Sequence, residues 1–214
     1  MKNVTLDPVL NHEETIIILH GMNQSQEDII YIANKIRKFK KNIKFLILIA
    51  EKMNITWPDG KQDNCISWYN YFTRYDNLSK HDIIDFSKFE SNSNKIVEII
   101  NEETKKISPK MISLIGISQG GTVCINLALK LEFSIKSIIC IDTIFLHTYY
   151  NYSVFNRQKF YILQSKKDNI YNLTFQNYCY SLLNSYGHFV KKYIRNKFHC
   201  EDTESIIRFI LKII

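Results

Sequence analysis

The sequence predicts an α/β protein with a mostly parallel central sheet and helices on both faces. Two observations carry this prediction. Short β-branched apolar runs alternate along the chain with stretches of helical spacing, the order produced by a parallel sheet covered by helices. The strand-like runs are also continuously apolar, as strands buried on both faces must be. A length of 214 residues fits one domain, 1–214, with enough chain to bury most of its apolar surface.

In chain order, residues 15–19 (TIIIL) are the first strand. Residues 26–39 follow as a helix, with Ile29, Ile32, Ala33 and Ile36 on one side. Residues 43–50 are the next strand. Residues 51–82 have no clear period: the turn signal Trp57-Pro58-Asp59-Gly60 leads into aromatics at Trp68, Tyr69, Tyr71, Phe72 and Tyr75. A loop this long is functional or a lid, unless its aromatics are simply core. Residues 86–106 read as a helix through Phe89, Ile96, Val97, Ile99 and Ile100, ended by Ser108-Pro109. Then come a strand at 111–115, a helix at 119–131 and a strand at 135–141. An irregular Tyr- and Asn-rich segment runs to about residue 157. The chain closes with strand 159–164, helix 173–184, strand 189–194 and helix 203–213.

Composition narrows the function classes. The opening MKNVTLDPVLNHEE has charges and a proline where a secretory signal needs an apolar stretch. The longest apolar runs fall far short of the roughly 20 residues that span a bilayer. A soluble, cytoplasmic protein is expected. The five cysteines are widely spaced with no C-x-x-C pair, which argues for structural thiols and against a disulfide framework or a metal site. The net charge of +7 comes from scattered lysines without a recognition motif, so nucleic acid is not an expected partner. Weak peripheral contact with a membrane surface stays open.

Glycine is scarce at six, and four of these, Gly21, Gly116, Gly120 and Gly121, fall in two segments. The sharper segment is Gly116-Ile-Ser118-Gln-Gly120, placed between a short apolar strand and an amphipathic helix. That is the context of a nucleophile elbow, whose steep turn exposes the serine at a helix N-terminus.

A serine hydroxyl needs a base, and the base needs an orienting group. His147, His188 and His199 follow Ser118. His199 lies after a strand and before the last helix, at the sheet edge where Ser118 sits; His147 is the reserve candidate. His188 begins the same strand and falls at the opposite edge. Of the acids between Ser118 and His199, Glu132 is at the far end of the serine's helix. Asp142 and Asp168 both follow strands, and Asp168 is preferred. For the oxyanion, the backbone N–H of Gln119 and one from the loop His20-Gly21-Met22 are the candidate donors.

The segments Leu19-His20-Gly21-Met22, Ser67-Trp68-Tyr69, Gly116-Ile-Ser-Gln-Gly-Gly121, Ile162-Leu163-Gln164 and Lys197-Phe198-His199 occur in one order and spacing. In this the chain resembles the acyl-protein thioesterase / phospholipase–carboxylesterase family, over roughly residues 15–212. The resemblance implies an α/β-hydrolase fold and cofactor-free cleavage of acyl esters or thioesters. It makes Ser118 nucleophile, His199 base and Asp168 acid, with Met22 and Gln119 as oxyanion donors and Trp68 at the substrate. S-acylated proteins and lysophospholipids are the implied substrates. Two rivals stand beside it: a carboxylesterase for small soluble esters, and a non-catalytic binding protein on a hydrolase scaffold. The chain departs from the family pattern at Asn23-Gln24, where Gly-Asp is usual, and at Ser165-Lys-Lys-Asp168, which holds one aspartate and no proline.

Overall fold

A computed structural model describes residues 1–56, 61–73, 83–149 and 156–214. The turn read at 57–60 and Tyr75 lie outside the described residues. In chain order the strands are β1 (Lys2–Leu6), β2 (Glu14–Leu19), β3 (Ile43–Ile49), β4 (Lys52–Ile55), β5 (Gln62–Ile66), β6 (Ile112–Ile117), β7 (Ser137–Ile141), β8 (Lys159–Ser165) and β9 (Phe189–Arg195). The helices are α1 (Gln26–Arg37), α2 (Phe86–Thr104), α3 (Gln119–Lys130), α4 (Leu173–Ser185) and α5 (Thr203–Ile213).

One seven-stranded sheet runs β1-β3-β2-β6-β7-β8-β9, parallel except for β1, which pairs antiparallel to β3. The continuous apolar runs have the predicted cause. In β2, Ile17 and Leu19 pack into a core shared with α2, α3 and α4, whereas Ile16 and Ile18 pack into a second core with α1 and α5. The helix starts are written locally. Ser25 and Asp28 form a reciprocal capping box on α1, and Asp85 caps α2 through the Lys88 amide.

Two elements differ from the sequence reading. β1 was not expected, because an edge strand needs only one apolar side and KNVTL offers only Val4 and Leu6 to the core. Part of the aperiodic stretch is a hairpin, β4 against β5, with Lys52 opposite Ile66 and Met53 opposite Cys65. KMNI alternates over only four residues and QDNCI opens on three polar ones, so neither is long enough to declare a strand. Trp68, Tyr69 and Tyr71 are buried core, while Phe72 is exposed.

Because the six inner and right-hand strands are parallel, their carboxyl ends share one edge. Ser118, Asp142, Asp168 and His199 all follow those ends, together with the Gly21-Met22 loop. Among the described residues, no helix is long and apolar enough to cross a membrane.

Candidate active site

Ser118 stands between β6 and α3 with φ 49° and ψ −118°, a conformation that residues with a Cβ rarely adopt. The flanking glycines make the turn sterically possible. A Cβ at Gly116 would lie 2.4 Å from Gly121 Cα, and one at Gly120 would lie 2.4 Å from the Leu19 carbonyl oxygen. The Ser118 amide is tied to the Ile141 carbonyl at 2.8 Å, which fixes the elbow to β7.

His199 Nε2 lies 2.8 Å from Ser118 Oγ, and its Nδ1 lies 2.8 Å from Asp168 Oδ2. An ionised carboxylate only accepts, so the Nδ1 proton faces Asp168, and in the neutral ring the Nε2 lone pair faces the serine hydroxyl. Asp168 is itself held: Oδ1 accepts from the Ile170 and Tyr171 amides, both at 2.8 Å, and Oδ2 also accepts from Gln176 Nε2 at 3.2 Å. Burial pushes the imidazole pKa of His199 down, but the bonds to Asp168 and to the Cys200 side chain outweigh it and push it up to about 10. The surroundings thus favour the imidazolium, the form created when the ring takes a proton.

Met22 borders the cleft beside Ser118, and the loop that carries it is built from its neighbours. The Gly21 amide donates to Gln24 Oε1 at 2.9 Å. His20 is fully buried: its Nε2 accepts from the Ala50 amide at 2.9 Å and its Nδ1 lies 2.7 Å from the Gly21 carbonyl. Burial lowers its pKa, so the neutral ring satisfies both contacts. Asn23, standing where the family pattern has glycine, takes a left-handed φ of 57°, which asparagine tolerates. Its backbone and carboxamide oxygen pair with Ile66, joining the β4–β5 hairpin to this loop.

Trp68, read from the sequence as a substrate contact, is instead completely buried, with its indole N–H on the His20 carbonyl. The reason is Gln119, whose carboxamide accepts from the Trp68 amide at 2.9 Å and donates to the Tyr69 carbonyl at 3.0 Å. The side chain after the serine therefore clamps 67–69 beneath the site. A cleft of about 160 Å³ opens over the serine, lined by Met22, Tyr71, Ser118, Ile170, Tyr171 and His199. Tyr71 belongs to the aromatic run read from the sequence, whereas Ile170 and Tyr171 were not singled out, although they closely follow Asp168.

The other candidates lie elsewhere. His147 packs against Phe145 and Tyr178, and His188 accepts from the Gln158 amide at the opposite end of the sheet. Asp142 does not hydrogen-bond to the His199 ring; it pairs with Arg195 at 2.8 Å and accepts from the Cys200 amide at 2.8 Å. Donor atoms of Asp142, His199 and Cys200 lie within 4.8 Å of one another, a spacing a metal ion could bridge. Yet both ring nitrogens of His199 are engaged and Asp142 is already matched by a guanidinium, so the trio is arranged to hold the histidine.

Residues 2–213 match the family model described as Phospholipase/Carboxylesterase. Comparison with curated protein sequences gives no match. Among solved structures, a Bacillus cereus carboxylesterase superposes with a TM-score of 0.77 at 15% identity, covering 100% of this chain and 95% of that one. Arabidopsis thaliana SOBER1 gives 0.77 at 16%, covering 93% and 96%. Zea mays acyl-protein thioesterase 2 gives 0.73 at 13%, covering 99% and 98%. At these identities the likeness is one of fold, the α/β-hydrolase fold.

Proposed function

We propose that this chain, which belongs to the phospholipase/carboxylesterase family, hydrolyses acyl esters or thioesters through a Ser118–His199–Asp168 triad. The observation that carries the reading is the unbroken relay Ser118 Oγ, His199 Nε2, His199 Nδ1, Asp168 Oδ2, with both links at 2.8 Å, on a nucleophile elbow. His199 takes the serine proton as Oγ attacks the acyl carbonyl, and Asp168 steadies the imidazolium. The amides of Gln119 and Met22 receive the oxyanion. The imidazolium then protonates the departing alcohol or thiol, and water activated by the same ring clears the acyl-enzyme. This sequence needs no cofactor.

Two substrate readings follow. Deacylation of lipidated proteins or lysophospholipids is one, with 51–82 as the acyl-binding cover. The small described cleft, about 160 Å³, supports the other, small soluble esters.

The test is fluorophosphonate labelling of wild type and Ser118→Ala, followed by turnover of p-nitrophenyl acetate, p-nitrophenyl butyrate and a palmitoyl thioester. Labelling lost in the variant, with short esters preferred, supports a carboxylesterase. Preference for the palmitoyl thioester would move the assignment to lipid deacylation. Folded wild type that takes no label would be a binding protein on a hydrolase scaffold.

A further inference from the structure

We propose that the buried Asp142–Arg195 ion pair is the positioning device for His199, holding its loop where the ring meets Ser118 and Asp168 together; this rests on the triad reading above. Asp142 is fully buried just after β7. Its Oδ2 accepts from Arg195 Nη2 at 2.8 Å, from Ser165 Oγ at 2.9 Å and from the Cys200 amide at 2.8 Å. Cys200 is the residue next to His199. Arg195, the last residue of β9, grips the same loop from its other side. Its Nη1 donates to the Glu201 carbonyl and to Ser205 Oγ, and its Nε donates to Ser165 Oγ at 3.0 Å. One pair therefore ties the carboxyl ends of β7, β8 and β9 and the first turn of α5 to the segment that carries the histidine.

That segment needs holding. Cys200 at φ 50° and Asp202 at φ 63° both occupy the left-handed region without being glycine. Such a backbone persists only where its surroundings over-determine it. A relaxation that moves the ring by about 1 Å is enough to cost on the order of a hundredfold in rate. Neither Asp142 nor Arg195 lines the cleft, and the bonds of Asp142 go to Arg195, Ser165 and Cys200 rather than to Ser118, so the pair acts through the histidine rather than on the reacting atoms.

Asp142→Asn keeps the shape and one acceptor oxygen but removes the charge that holds Arg195. With p-nitrophenyl acetate, kcat should fall by about tenfold or more while KM changes by less than about twofold. The downfield Nδ1 proton resonance of His199 should broaden or move upfield, which loss of stability alone would not produce. The double variant Asp142→Leu/Arg195→Met guards against a folding defect, because apolar replacement of a buried ion pair is often neutral or stabilising. It should melt near wild type and show the same loss of kcat. Full kcat in either folded variant, with wild type still labelled at Ser118, overturns the positioning role and leaves the triad intact. Wild type that takes no label overturns the triad reading itself. Failure of both variants to fold would make the pair a scaffold element and also overturn the proposal.

Discussion

Trp68 donates its indole N–H to the His20 carbonyl at 2.9 Å, and the two rings stack with their centroids 4.9 Å apart. The tryptophan thus sits under the loop that brings Met22 to the cleft, while Gln119 holds its backbone from the nucleophile side. The Ser118 turn and the 20–22 loop are braced by the same buried segment.

Trp68→Phe should therefore act as a scaffold lesion. It leaves the buried His20 carbonyl without its donor, a cost of about 1–3 kcal/mol, and lets the loop shift. Urea unfolding should show an earlier midpoint with unchanged slope, and turnover of a short ester should lose kcat more than it gains in KM. Unchanged stability with a raised KM alone would return Trp68 to the substrate surface.

Ser118 reaches the cleft through a strained backbone. A non-glycine residue in such a conformation costs about 1–3 kcal/mol, and glycine removes the Cβ responsible while losing about 0.5–1 kcal/mol to chain entropy. Ser118→Gly should be inactive like Ser118→Ala but more stable than it by about 1 kcal/mol. Thermal melts of the two dead variants decide this, and equal midpoints would mean the turn is unstrained.

The close approach of α3 to β2 gives another expectation. An added Cβ at Gly120 meets the Leu19 and His20 carbonyl oxygens at 2.4 and 2.5 Å, and these belong to backbone inside or just beyond a central strand. At Gly21 the nearest atom is 3.3 Å away and belongs to a side chain. Gly120→Ala should cost at least the roughly 1–3 kcal/mol typical of overpacking, with Gly21→Ala much milder in stability. Soluble yield and melting temperature rank the pair; the reverse order would contradict the packing account.

The contrast between these sites explains what the sequence made legible. The elbow could be read because its signals are local: a continuous apolar strand, glycines flanking the serine, then a helical period. His199 was legible by topology, since an alternating α/β chain brings every post-strand loop to one edge. The support for Asp142 was not, because its partner Arg195 is 53 residues away on β9 and no spacing rule links them. Trp68 was put at the substrate by the resemblance, whereas it follows the other reading of its stretch, aromatics as core, because the Gln119 carboxamide pins its backbone down. β1 and the β4–β5 hairpin were hidden by their shortness and mixed composition.

The pH dependence of turnover follows from what surrounds His199. Asp168 faces Nδ1, the Cys200 side chain lies beside the ring, Tyr171 meets it edge-on, and Asp142 behind it has its charge matched by Arg195. Burial disfavours the cation, but the bonds to Asp168 and Cys200 favour it more, so the pKa is raised above 6.5, toward about 10. A general base works in its neutral form, so kcat/KM should rise with pH along a limb whose midpoint lies above 6.5. Cys200→Ala keeps the amide on Asp142 and removes only the thiol, so the limb should move to lower pH. Asp168→Asn should lower it further and cost kcat roughly ten-thousand-fold, because an amide can hold the wrong tautomer. Stability carries the same sign: a group whose pKa rises on folding stabilises fully below its unfolded value and loses that contribution as pH climbs through the folded one. The difference in melting temperature between wild type and His199→Gln should therefore shrink from pH 6 toward about pH 10. A limb at or below 6.5, unmoved by Cys200→Ala, would show that the ring is not held as its neighbours imply.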